Sequence, residues 1–254
     1  MTFRHLILTR FNIQYDKQSC DGIQPQWLDS RCRLFETYCL PSLQQQTCTD
    51  FTWVILADRR TPEPYQSRIN SYETFLPNIK IHWIPFYDDY NILFQQLGKE
   101  YAQGFDLLLT SRIDNDDAFA PDYVQTIQQT VRNGHLGVVS FPVGRQTFLD
   151  NGKSYQIRYT ENHFLSRIEA SGFFTVMGLD HRDAGKYNLL TIKTDHPMWE
   201  EIVHTGNIAN QYVPSFHHKI TGMSDFLDLS RRYWLVTKKR ARKLYDIIFR
   251  RQQP

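Results

Sequence analysis

Asp106-Leu-Leu-Leu-Thr-Ser-Arg-Ile-Asp-Asn-Asp-Asp-Ala-Phe-Ala-Pro121 is the stretch on which the reading of this chain turns. Leu107 to Leu109 has the length and bulk of a strand buried in a parallel sheet. The stretch then becomes acidic, with Asp114, Asp116 and Asp117 close together. Side chains alternate along a strand, so Arg112, Asp114 and Asp116 project to one side if the extended conformation persists to the end. Carboxylates packed this closely repel, and a hard divalent cation with oxygen ligands relieves the repulsion. The alternative is an acidic turn whose Asp and Asn side chains bond nearby backbone. Spacing alone does not separate the two.

The flanking sequence weighs toward a ligand site. Pro121 and Asp122 open a helical stretch through Arg132, with apolar residues at 123, 124, 127 and 131. Strand, acidic loop and helix in succession is how α/β sheets build ligand sites at their carboxyl edge. Upstream, His5 to Ile13 reads as a first buried strand ending in polar residues, which makes Thr9 to Asn12 a candidate nucleotide contact. Trp27 to Gln46 is helical in spacing, with a kink or restart expected at Pro41. Phe51 to Asp58 is the second strand and ends in an acid. A helix near 65 to 76, a third strand from Ile79 to Phe86 and a helix from Asp89 to Gln103 follow. The alternation predicts an α/β fold with a mostly parallel, doubly wound sheet over residues 1–144, including a strand from Gly137 to Val143.

Beyond Gly144 the pattern changes. Lys153 to Thr160 alternates like an antiparallel strand, and Phe173 to Met177 reads as a short apolar strand. Asp195 to His204 starts like a helix, with Asp195 or Thr194 as its cap and Pro197 in its first turn. The expected division is 1–144 for one half of the domain, 145–230 for the other, and 231–254 for a basic tail.

With 254 residues, 41% of them hydrophobic, the chain can fill a full core. Its most apolar windows fall well short of the roughly 20 residues that cross a bilayer, and Met1 to Arg10 lacks the features of a secretory signal. A cytoplasmic location is expected. Cys20, Cys32, Cys39 and Cys48 lack paired zinc spacing and read as reduced thiols, with Cys32 and Cys39 on one helix face suited to core packing. Net charge is +2, yet Arg231 to Arg251 holds nine Lys or Arg and one acid, leaving −6 on the remainder. Read as a helix, the tail sets Trp234, Ala241, Leu244, Tyr245 and Ile248 near one another with cations flanking them. Such a helix suits an anionic membrane surface, or the strip packs on the main domain.

Three segments, in this order, resemble family-2-like glycosyltransferases of the GT-A fold: Leu40-Pro-Ser-Leu-Gln-Gln-Gln-Thr47 with Asp50-Phe51 and the strand to Asp58, then Ile113-Asp-Asn-Asp-Asp-Ala-Phe-Ala-Pro-Asp-Tyr123. Thr9-Arg-Phe-Asn12, Arg31 to Ser42 and Ser111 to Ala118 are similar to the bacterial group named "putative rhamnosyltransferases". The resemblance covers roughly the first half of the chain. It implies a GT-A-like, Rossmann-like central sheet flanked by helices with a smaller antiparallel part. It also implies transfer of a hexosyl group, rhamnose by the group's name, from a nucleoside-diphosphate sugar to a glycan or lipid-linked acceptor in surface polysaccharide synthesis. Thr9, Arg10, Asn12 and Asp58 would contact base and ribose. Asp114 and Asp116 would serve the diphosphate and a Mg²⁺ or Mn²⁺ ion, with Asp117 in support. Ala57 and Arg59 stand where the family commonly has Asp and Gly. Arg112 either supports Asp114 or reaches the diphosphate.

The resemblance further implies a carboxylate base if the anomeric centre inverts, for which Asp195 is the candidate, and a late histidine as metal ligand, His217 or His218 ahead of His204. Against catalysis, Asp195 reads more readily as an ordinary helix cap. Phe173, Phe174 and Trp199 suit sugar stacking or core packing. A separate class of reading makes the acidic loop structural and the basic tail a site for nucleic acid, although no nucleic-acid fold is visible. Nuclease or phosphotransferase chemistry on the same carboxylates is a third reading, opposed by the order of the motifs.

Overall fold

The computed structural model describes residues 1–13, 21–85 and 89–205, and the backbone of 217–219. Four parallel strands form its centre: β1 (Phe3–Arg10), β2 (Thr52–Asp58), β3 (Ile79–Ile84) and β4 (Leu107–Arg112). β1 lies between β2 and β4, and β3 pairs outside β2. Leu6, Ile7 and Leu8 are all fully buried, with no alternation. The reason is that helices cover both faces: Ile7 enters one core with Phe35, Trp53 and Tyr123, and Leu6 and Leu8 enter the other with Phe94 and Leu108.

The covering helices are α1 (Pro25–Leu34), α2 (Leu40–Gln44), α3 (Glu63–Asn70), α4 (Tyr72–Phe75), α5 (Tyr90–Tyr101) and α6 (Tyr123–Arg132). Between α1 and α2, Phe35–Cys39 winds as a wider π-helical turn. Pro41, in the first turn of α2, has no N–H to give the preceding turn, and the widening just before it absorbs the interruption. The predicted kink at Pro41 therefore takes the form of a bulge. Cys32 and Cys39 are both buried in the core, as their spacing suggests.

The remaining strands are β5 (Ala118–Phe119), β6 (Gly137–Ser140), β7 (Val143–Phe148), β8 (Lys153–Arg158), β9 (Ser166–Glu169), β10 (Leu190–Thr191), β11 (Trp199–Val203) and β12 (His217–Lys219). The large sheet runs β10-β6-β9-β4-β1-β2-β3, and a smaller one runs β12-β8-β7-β11-β5. β9 is antiparallel to both β4 and β6, so the large sheet is mixed although mostly parallel. The smaller sheet is antiparallel except where β11 joins β7. The α/β class, the flanking helices and the antiparallel β8 thus agree with the sequence.

Two expectations are corrected. Residues 195–204 form no helix: Trp199–Val203 is a strand inserted between β7 and β5, and Asp195 sits on an exposed bend ahead of it. Pairing on both sides, with the Trp199 indole N–H donating to Phe141 O at 2.7 Å, overrides the local helix signals. Gly144 of β7 is required there, because a Cβ would overlap the Trp199 ring. Residues 173–177 form no strand either. The Glu169 carboxylate accepts the Phe174 and Thr175 N–H groups at 3.1 and 2.9 Å, and Phe173 and Thr175 have φ of 48° and 60°. That geometry is a tight turn into Val176–Gly178. Trp199 is accordingly core, stacked on Phe164, whereas Phe174 is exposed.

No helix among the described residues is long and apolar enough to cross a membrane. The tail 231–254 lies outside the described residues, so its helical reading is not met by any observation here.

Candidate functional site

β4 ends at Arg112, and the acidic residues follow in a turn, so the strand alternation that would have aligned Asp114 with Asp116 stops before reaching them. The turn is fixed on every side. Ile113 N–H donates to Leu8 O, and Thr9 Oγ1 donates to Ile113 O at 2.9 Å. Asn115 donates its amide to Phe11 O, and the Cys39 thiol reaches Asp114 O at 3.5 Å. A loop with this many backbone ties is preorganised.

Its three carboxylates face different partners. Asp114, the most open of them, meets Arg112 Nη2 at 3.4 Å and Arg10 Nη2 at 3.7 Å. Burial opposes its charge, but Arg112, His163 and Arg10 hold its carboxyl well below the usual carboxylate range. Asp117 is buried; its Oδ1 accepts Ile202 N–H of β11 at 3.0 Å and its Oδ2 lies 3.1 Å from His163 Nε2. Burial pulls the His163 pKa down, yet the bond to Asp117 and the nearby Glu201 and Asp114 raise it to about 9. Asp116 instead accepts from Arg31 of α1 and lies 2.9 Å from His204 Nε2. Arg31 also donates to Asn115 Oδ1 at 3.0 Å and stacks over Trp27 at 4.8 Å.

Ligand atoms of Asp114, Asp117 and His163 all lie within 4.8 Å of one another, a group able to hold a metal ion. The paired acids of the sequence reading were Asp114 and Asp116; the structure sets Asp117 beside Asp114 and turns Asp116 toward Arg31 and His204. His217 and His218 lie on β12, at the outer edge of the smaller sheet beyond β8, and their side chains are outside the described residues.

The nucleotide-contact candidates collect at the same carboxyl edge, since Leu8 pairs with Arg112 and Arg10 with Leu56. Thr9 is fully buried and also accepts from the Trp53 indole at 2.9 Å. Asn12 donates to Gly22 O and Thr61 Oγ1 and accepts Asp58 N–H at 2.9 Å. The Asp58 carboxylate takes Arg60 through its backbone N–H and guanidinium. Arg10 is steadied by Tyr90, its Nη1 donating to the hydroxyl at 2.7 Å. His196 pairs with Asp122 at 3.0 Å on the surface.

Sequence reasoning missed Arg31, His163 and Glu201 as members of this constellation. Arg31 falls inside a quoted stretch of resemblance, so it carried a signal. His163 and Glu201 carry none, because they reach the site through β9 and β11, whose pairing is not local.

The acidic loop is held at the carboxyl edge of a mostly parallel, helix-flanked α/β sheet, among arginines and histidines. The model of the family described as "Putative rhamnosyl transferase" matches residues 13–214, and the chain belongs to that family. No curated protein matches. Among solved structures, TarS 1–349 of S. aureus in complex with UDP is similar at 12% identity and a TM-score of 0.45, over 80% of this chain and 61% of that one. The same protein in complex with UDP-GlcNAc is similar at 14% identity and a TM-score of 0.48, over 84% and 62%. The chain thus spans about three fifths of those structures.

Proposed function

We propose that the protein is a metal-dependent glycosyltransferase that moves a sugar, rhamnose on the family's description, from a nucleoside-diphosphate sugar to a glycan or lipid-linked acceptor. The observation that carries this reading is the meeting of Asp114, Asp117 and His163 within 4.8 Å at the sheet's carboxyl edge, in a chain of this family. The donor set fits a divalent cation: two carboxylate oxygens suit Mg²⁺ or Mn²⁺, and the imidazole favours Mn²⁺. When bound, such an ion supplies neutralisation of the charge that grows on the leaving diphosphate.

The chain's own residues do the rest. Arg10 and Arg112, both near Asp114, would take diphosphate oxygens once a donor arrives. Thr9 and Asn12 act through the backbone they brace, and Asp58, which now pairs with Arg60, would offer its carboxylate to the ribose. Asp116 and His204, 2.9 Å apart, would form a second carboxylate and imidazole pair for the diphosphate or its ion, and His217 stays a candidate ligand. Asp195 is the proposed base for the acceptor hydroxyl. On this reading residues 1–144 carry most of the donor site, His163 joins it from the second half, and the rest of 145–230 takes the acceptor. The basic segment 231–254 would hold the enzyme at an anionic leaflet near lipid-linked acceptors, each cation adding roughly 1 kcal/mol.

A thermal-shift screen of nucleotide sugars with and without Mn²⁺ tests the reading. A donor at about 100 times its Kd stabilises the native state by about 2.7 kcal/mol. The expected result is a shift with at least one donor that disappears on chelation; no shift with any donor opposes the proposal.

A further inference from the structure

Strand β11 reaches the site twice. Its backbone N–H at Ile202 donates to Asp117 Oδ1 at 3.0 Å, and the residue before it, Glu201, lies with Oε1 3.9 Å from His163 Nδ1. His163 therefore stands between two carboxylates, with Asp117 on Nε2 at 3.1 Å and Glu201 on the opposite ring nitrogen. Asp114 completes the charged groups around it, and the Phe164 ring packs on its face at 4.1 Å.

Glu201 is itself buried. An ionised carboxylate in such a place is costly without partners. Gln146 of β7, opposite Glu201 in the strand register, donates its side-chain amide to Glu201 Oε2. One oxygen is thereby anchored to the neighbouring strand while the other is left turned to His163. At 3.9 Å the two are within ion-pair reach but not hydrogen-bonded; a small approach of Glu201 Oε1 would complete the arrangement in which a histidine that binds metal through one nitrogen is oriented by an acid at the other.

We infer that Glu201 is a positioning residue for His163: it fixes the ring so that Nε2 is presented to the Asp114 and Asp117 side, where a divalent cation would sit. The inference rests on the metal reading above. It assigns to β11, which supplies none of the three proposed ligands, the job of holding two of the three ligating side chains in register. A partner of this kind changes metal affinity by about 10–100-fold when lost.

The test is Mn²⁺ titration of the full chain by calorimetry, with metal-free thermal unfolding measured alongside, for wild type, Glu201→Gln, His163→Ala and the double variant. The expected result is binding weakened about tenfold or more in Glu201→Gln, with no further loss when it is added to His163→Ala. A Glu201→Gln variant that binds Mn²⁺ like wild type while unfolding at lower temperature shows a purely structural acid and overturns the inference. So does an equal additional loss in the His163→Ala background. Should Glu201→Gln not fold, Gln146→Met removes the amide that anchors Glu201; weaker Mn²⁺ binding is expected there, and unchanged binding overturns the inference. Wild type that binds no Mn²⁺ refutes the metal reading itself and the inference with it, an outcome read on wild type alone.

Discussion

Replacing Asp116 with alanine separates two physical accounts of the acidic turn. If repulsion among Asp114, Asp116 and Asp117 dominates, removing one charge stabilises the metal-free protein. The structure points the other way. Asp116 and Arg31 pair with side chains only 8% and 12% exposed, and His204 lies 2.9 Å from the same carboxylate oxygen. Breaking a buried pair by removing one partner typically costs 3–5 kcal/mol, because the other charge is left uncompensated. Arg31 keeps Asn115 and the face of Trp27 after the change, so the cost should fall near the lower end, about 3 kcal/mol. Denaturant unfolding of Asp116→Ala, Arg31→Met and the double variant measures this, and the cycle isolates the pair. Arg31→Met should also destabilise, and the double variant should lose less than the two singles together. An Asp116→Ala protein as stable as wild type, or more stable, refutes the reasoning and restores repulsion as the larger effect.

Three further outcomes are expected. Burial lowers the His5 pKa from 6.5 to about 3, with Ser111 Oγ 3.0 Å from Nε2 and the Gln128 amide facing Nδ1. Only the unfolded chain then takes up this proton as pH falls below 6.5, so between pH 7 and 5 stability should drop by about 2 kcal/mol from this group. His5→Asn should show a correspondingly shallower loss, and parallel curves would contradict the assignment. Asp195→Asn should cut turnover by orders of magnitude while leaving donor affinity nearly unchanged; unchanged turnover would leave Asp195 as a surface bend residue. Sedimentation with anionic vesicles at low salt should recover the full chain but not one truncated after Ser230; equal recovery of both would show that the tail does not anchor it.

The parallel half of the fold was legible because its strands are continuous apolar runs separated by helices, a local signal repeated from Leu6 to Leu109. The acidic loop was legible for the same reason: it follows such a strand directly. What failed was non-local. Met198 to Val203 has an apolar spacing that fits either a helix turn or a strand, and only pairing with β5 and β7 decides it. Phe173 to Met177 looks apolar enough for a strand, but Glu169 captures the Phe174 and Thr175 N–H groups from five and six residues away. Within the loop, spacing named the acids but not their directions, which depend on Arg31 from α1 and His163 ahead of β9.

The central claim is that Asp114 helps hold a divalent cation that joins a nucleoside-diphosphate sugar to this site. It is tested most directly by calorimetric titration of the donor selected by the thermal-shift screen into wild type and Asp114→Asn, each with Mn²⁺ and with chelator. The account predicts binding by wild type that needs Mn²⁺, and its loss in Asp114→Asn although that variant remains folded. Donor binding of equal strength in chelator, or in Asp114→Asn with Mn²⁺ present, would contradict it.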